Sequence, residues 1–185
     1  MRKLKLQVQM TVDGFIAGPE GQLDWMSADS EERNKFVNEL TDSCDTILMG
    51  RGMAIGFIQY WESVGPDDRA LYDFAQKMVS LPKFVFSRTL NHIDGKNVRV
   101  ENGDLASAVN ALKAMPGKDM IVYGGATFDA ALLEHGLIDE LNLFVNPVAI
   151  GSGMRMFTAR TPLQLAASRA FEGGVVVNTY RQRAA

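Results

Sequence analysis

Residues 119–128 read Asp119-Met-Ile-Val-Tyr-Gly-Gly-Ala-Thr-Phe128. Residues 120–123 form a short apolar run that stops at two glycines, Gly124 and Gly125. The segment after them, through His135, places Phe128, Ala131 and Leu132 at i, i+3 and i+4, the spacing of one apolar helix face. The stretch therefore reads as a buried strand, a Gly-Gly turn and a helix start. Glycine lets the backbone approach a ligand, and the first N–H groups of a helix point at an anion. Taken alone, it is equally well a plain strand-to-helix turn, so the decision falls to the rest of the chain.

The pattern recurs twice upstream. A buried strand at residues 46–49 runs into Gly50-Arg51-Gly52, and a strand at residues 83–87 ends in Ser87-Arg88-Thr89. In an open α/β sheet, ligands bind beyond the carboxyl ends of strands. Three such ends on one rim would hold an extended, multiply phosphorylated cofactor, with Arg51 and Arg88 forking onto phosphates. Either arginine alone is an ordinary surface charge; the argument lies in the coincidence of all three ends. The usual dinucleotide fingerprint fails, because Gly50, Gly52 and Gly56 are spaced one residue too long. Asp67 and Asp68 fall at a helix start, not at a strand end where an acid would hold a ribose. Two arginines without that acid favour a 2′-phosphate, hence NADPH over NADH.

Around this core the chain alternates strands and helices. Leu4, Leu6, Val8 and Met10 alternate as a first strand, and a glycine-rich loop with Asp13 and Trp25 follows. A helix opens at Asp29 with Phe36, Val37, Leu40 and Cys44 along its inner face. Residues 57–65 read as irregular, and a helix starts at Pro66 with Leu71, Phe74, Ala75 and Met78 inward. Val98 and Val100 mark a short strand, Leu105 to Leu112 a helix, and residues 141–148 a strand with Pro147 at its end. Leu163, Leu165 and Ala167, then Glu172-Gly-Gly, then Val175, Val177 and Thr179 read as an antiparallel hairpin. The fold class expected is α/β with a mostly parallel sheet. The hairpin and the 141–148 strand are expected to offer an apolar edge that a twofold dimer would cover.

At 185 residues the chain is expected to form one domain, residues 1–185. A net charge of −3 without a basic run argues against nucleic acid. No segment is long enough to span a membrane and the start lacks the apolar block of a signal peptide, so a cytoplasmic location is expected. The single cysteine excludes an internal disulfide and a cysteine-rich zinc site. His92 and His135 read as surface residues, no metal is expected, and no Ser-His-Asp order with a nucleophile elbow points to a hydrolase.

These residues also carry a resemblance. Thr11-Val-Asp-Gly-Phe-Ile-Ala-Gly18, Gly21-Gln-Leu-Asp-Trp25, Ile47-Leu-Met-Gly-Arg51, Phe86-Ser-Arg88, Val122-Tyr-Gly-Gly-Ala126 and Leu137-Ile-Asp-Glu-Leu141, followed by Pro147 and Gly151-Ser-Gly153, span about residues 5–157. In order and spacing they resemble the dihydrofolate reductase-like superfamily. Within it the chain is similar to small stand-alone proteins like the C-terminal reductase domain of the riboflavin-biosynthesis deaminase-reductase. The resemblance implies a three-layer α/β/α fold with NADPH lying across the strand ends.

By that analogy Ile16 and Ala17 offer backbone to the nicotinamide, and Arg51, between Gly50 and Gly52, meets the 2′-phosphate. Ser87 and Arg88 flank the adenine-ribose end, and Tyr123, Gly124, Gly125, Ala126, Thr127 and Phe128 hold the pyrophosphate. The loop at residues 17–23 would close over the ring, as hydride transfer requires. Trp25 walls the cleft. Asp29, four residues after it, is the candidate for hydrogen bonding a heterocycle, although capping the helix is the favoured explanation of an acid there. Ser152 and Arg155 are further candidate donors for a substrate phosphate. The deaminase half is absent, because its zinc signature does not occur. The activity implied is hydride transfer to a small nitrogen heterocycle or its sugar phosphate, resembling 5-amino-6-(5-phosphoribosylamino)uracil reduction. A dihydrofolate or pterin reductase, a non-catalytic NADPH-binding module and a non-binding interaction domain are the alternatives.

Overall fold

Alternation of apolar and polar residues from Leu4 makes β1 (Leu4–Thr11), whose Leu4, Leu6, Val8 and Met10 are all buried on one face. In this computed structural model, residues 1–28 and 30–182 are described. After β1 come α1 (Glu31–Asp42), β2 (Cys44–Gly50), α2 (Arg51–Ser63), α3 (Tyr72–Ser80), β3 (Lys83–Phe86) and β4 (Val98–Glu101). Then follow α4 (Leu105–Ala114), β5 (Asp119–Val122), α5 (Ala126–Glu134), β6 (Glu140–Asn146), β7 (Leu163–Ala170) and β8 (Val176–Gln182).

The strands form one eight-stranded sheet in the order β4-β3-β2-β5-β1-β6-β8-β7. β4 through β6 run parallel, and β8 and β7 add antiparallel. One face packs Leu4, Leu6, Val8 and Val122 against Val109 and Leu112 of α4 and Phe128, Leu132 and Leu133 of α5. The other packs Ile47, Met49, Val85 and Ile121 against Ala54 and Ile58 of α2 and Met78 of α3. Phe36 and Val37 of α1 join Phe144, Phe171, Val175 and Val177 there. This is the three-layer α/β/α arrangement with its C-terminal antiparallel hairpin.

Four local expectations change. Residues 57–63 are the second half of α2, because Ile58 is buried in the core and Trp61 packs edge-on against Phe57 and Phe74. That tertiary packing outweighs the weak helix propensity of its aromatic and β-branched residues. Residues 66–71 form turns, and α3 begins only at Tyr72. Cys44 does not end a helical stripe; it begins β2 as a buried thiol, and burial raises its pKa. Strand β6 stops at Asn146, before Pro147, and lies between β1 and β8, so it offers no edge. The edge strands are β4 and β7, and on β7 Leu165 is 54% exposed.

Candidate active site

Because β2 and β5 are adjacent and parallel, their carboxyl ends finish side by side. The Gly50 N–H donates to the Gly124 carbonyl at 3.0 Å, which ties the two turns together. β2 passes straight into α2 through Gly50, and β5 reaches α5 through Gly124 and Gly125, joined by a cis peptide bond. A Cβ on Gly50 would lie 2.6 Å from Cβ of Phe128. Only glycine lets β2 and α5 approach this closely.

Neither α2 nor α5 has a side-chain N-cap bond. By contrast, Ser30 caps α1 by accepting from the Arg33 N–H, and Asp104 caps α4 by accepting from the Ser107 N–H. The first N–H groups of α2 and α5 are thus left for another acceptor, at the positive ends of their dipoles. β3 lies on the far side of β2. Arg51 donates to the Thr89 hydroxyl at 3.2 Å, so the turn after β3 meets the start of α2. Arg51 and Arg88 are both exposed, and nothing lies within 4 Å of a Cβ placed on Gly52. The phenyl rings of Phe86 and Phe128 stack at 5.2 Å beneath this rim.

The structure therefore brings Gly50, Arg51, Gly52, the 87–89 turn and residues 124–128 to one edge. Ala126 is half-buried, Thr127 exposed and Phe128 buried. Two residues differ from the role sought for them. The Ser87 hydroxyl already accepts from the N–H groups of Thr89 and Leu90, bracing its own turn. The Tyr123 side chain turns into the core, beside Phe57, with its hydroxyl 3.0 Å from that of Thr41; burial pushes its pKa well up. Only the Tyr123 backbone remains at the turn.

On the other side of β5, the 11–18 turn is fixed to the 150–154 turn. The Asp13 carboxylate accepts from the Thr11 hydroxyl at 2.6 Å and the Gly151 N–H at 2.8 Å, bonds that favour its charged form and hold its pKa low. It braces the loop. The Ile16 N–H donates to the Met154 carbonyl and the Met154 N–H to the Ala17 carbonyl. The Ile16 carbonyl and Ala17 N–H are left without a partner among the described residues. Arg155 lies over the Phe15 ring, with its guanidinium carbon 4.1 Å from the centroid.

Trp25 is half-buried and donates its indole N–H to the Gln22 carbonyl. Two residues on, the Ser27 N–H donates to Asn146 at 2.9 Å, which pins this loop to the end of β6. Asp29 lies outside the described residues.

Sequence reasoning missed two groups here. Asp129, on α5, is fully buried with both carboxylate oxygens unpartnered, and burial pushes its pKa up to about 8. It sits behind the diglycine turn, where a Cβ on Gly124 would lie 3.2 Å from its Oδ2. Asn146, equally buried, is a polar interruption in the apolar 141–148 run, and that was its one available signal. A separate groove of about 760 Å³ lies by the end of α5 and the end of β8, lined by His135, Arg160, Arg181 and Gln182 among others; it contains none of the expected site residues. Among the described residues no group of three or more His, Cys, Asp or Glu side chains could hold a metal, and no helix is long and apolar enough to cross a membrane.

The sequence matches the RibD C-terminal domain family over residues 2–177. The chain belongs to this family. It is 36% identical to the uncharacterized protein YyaP of Bacillus subtilis (strain 168), covering 97% of this chain and 94% of that protein. It is 24% identical to the riboflavin biosynthesis protein RibD of Corynebacterium ammoniagenes, over 80% of this chain and 44% of that one. Among solved structures, a putative riboflavin biosynthesis protein from Shewanella sp. PV-4 superposes with a TM-score of 0.77 at 22% identity, covering 100% of both chains. A deaminase/5-amino-6-(5-phosphoribosylamino)uracil reductase from Thermotoga maritima gives 0.70 at 14% identity, over 98% of this chain and 57% of that one. At these identities the two structures speak to fold, which is the reductase-like α/β/α fold of the RibD C-terminal family.

Proposed function

We propose that this chain is an NADPH-dependent reductase that delivers a hydride to a small nitrogen heterocycle or its sugar phosphate, in the manner of the riboflavin-pathway reductases it resembles. The observation that carries this reading is the meeting of three strand ends, linked through Gly50 to Gly124 and Arg51 to Thr89, beside two helix starts without side-chain caps. That donor set suits a dinucleotide bearing an extra phosphate: backbone N–H groups for the pyrophosphate, and Arg51 and Arg88 as cationic forks. The Ile16 carbonyl and Ala17 N–H form a complementary pair for a carboxamide.

Bound NADPH would supply the hydride. The chain would hold the ring against the 16–17 backbone, and the loop at residues 17–23, with Trp25, would keep water out. Asp29 is the proposed hydrogen-bond partner of the heterocycle. The same reading takes residues 1–185 as one cytoplasmic domain and the exposed β7 edge as the contact of a homodimer, which sedimentation would detect.

Tryptophan fluorescence titrated with NADPH and with NADH tests the cofactor reading. Quenching by NADPH at micromolar levels and weaker quenching by NADH are expected; no response at millimolar NADPH sinks it. Loss of reduced-nicotinamide absorbance with oxopyrimidine or pterin substrates then separates an enzyme from a binding module.

A further inference from the structure

Strand β6 ends in a side chain whose orientation the backbone dictates. Asn146 Oδ1 accepts from the Ser27 N–H at 2.9 Å, and its Nδ2 donates to the carbonyls of Phe144 at 3.1 Å and Met10 at 3.4 Å. A backbone N–H can only donate and a backbone carbonyl can only accept, so these partners fix which end of the carboxamide is which. The two hydrogens of Nδ2 serve the Phe144 carbonyl and Oε1 of Gln9 at 3.0 Å, and the longer Met10 contact shares one of them. Gln9 must therefore turn its oxygen to Asn146 and its Nε2 away.

Gln9 lies on β1 opposite Phe144, on the face away from Val8 and Met10, and is half-buried. Among the described residues no group accepts from its Nε2, and that nitrogen is not among the sealed unpartnered atoms, as the Oε1 of Gln7 is. A carboxamide held in one orientation with both N–H bonds unspent is a reading head for an acceptor. It stands on the same Asn146 that pins Ser27, two residues past Trp25, and two residues before the turn that leads to Ile16 and Ala17.

We propose that Gln9 is a specificity-determining residue of this cleft, its N–H₂ donating to a ring carbonyl of the substrate, so that oxo-heterocycles are accepted and their amino analogues rejected. The proposal rests on the reductase reading for the word substrate, but its test does not use the cofactor. Binding of 5,6-diaminouracil and of 2,4,5,6-tetraaminopyrimidine, which replaces both carbonyls by amino groups, is measured calorimetrically on the full chain, on Gln9→Leu and on Gln9→Glu. Gln9→Glu keeps the acceptor that Asn146 needs while replacing the donor by a second acceptor.

The wild-type chain is expected to favour the uracil by about 10-fold, the worth of one well-placed hydrogen bond. Gln9→Leu should lose that preference and Gln9→Glu should reverse it, with thermal unfolding close to wild type. Failure of the wild-type chain to bind either compound at millimolar concentration, or an unchanged preference in both variants, overturns the proposal. Titration with NADPH alone, run in parallel, reports on the cofactor reading and is expected to be the same in all three proteins.

Discussion

Over β3, β2 and β5 the carboxyl rim is made of backbone amides and guanidinium groups, while over β1 and β6 it is made of carboxamide side chains and a pinned loop. On the proposed reading the first half would recognise charge and tolerate changes around it, since backbone N–H groups point outward whatever side chains follow. The second half depends on a chain of contacts, Ser27 to Asn146 to Gln9, in which each group orients the next. Breaking one link there should change which heterocycle is preferred; breaking one group in the first half should change the affinity for the cofactor, and for Arg51 the preference between NADPH and NADH.

The largest effect is expected behind the first half. Asp129 has no partner, and burial raises its pKa from 3.8 to about 8. A raised folded-state value means that its contribution is intact below about pH 4 and is lost as the pH rises to about 8. The folded wild type should thus weaken across that window, and Asp129→Asn should not. The difference between them should grow by several kcal/mol, on the order of 6. Urea unfolding from pH 4 to 9 measures it, and parallel curves would mean that Asp129 is solvated or partnered.

The second half is next. A Cβ on Gly153 would lie 2.2 Å from the Ala17 carbonyl oxygen, where φ is +157°. Gly153→Ala should cost about 3 kcal/mol by urea unfolding and should part the Ala17–Met154 bridge. Asn146→Ala should cost about 2 kcal/mol, because it strands the Ser27 N–H and releases Gln9. Limited proteolysis should then cut near residues 22–27 well before the wild type is cut. A loop that stays protected would show that Asn146 does not hold it.

The smallest effect sharpens the contrast. Arg51→Ala should weaken NADPH about 10-fold and leave NADH within about twofold, with unfolding unchanged because the side chain is exposed. Equal loss for both cofactors would place Arg51 away from the 2′-phosphate.

The two halves were also unequally legible in the sequence. The strand-glycine-helix units at residues 46–52 and 120–128 are local, and their periodicity and glycines are visible in a short window. The helical nature of residues 57–63 was not, because it is decided by Trp61 and Ile58 packing against α3 and the sheet. Gln9 and Asn146 come together only through the β1–β6 register, across 137 positions of sequence. Asp129 was hidden for another reason. α5 is buried on most of its surface, at Phe128, Ala130, Leu132 and Leu133, so its apolar positions define no polar face from which a misplaced acid would stand out.

The strand order carries a consequence for how the protein is made. β2, β3 and β4 are neighbours in both sequence and sheet, so they can pair as they leave the ribosome. β1 precedes them, yet its neighbours among the described residues are β5 and β6, which follow more than a hundred residues later. β1 must wait for those two strands to be made, its alternating leucines unpaired, and during that interval it is exposed to aggregation or chaperone capture.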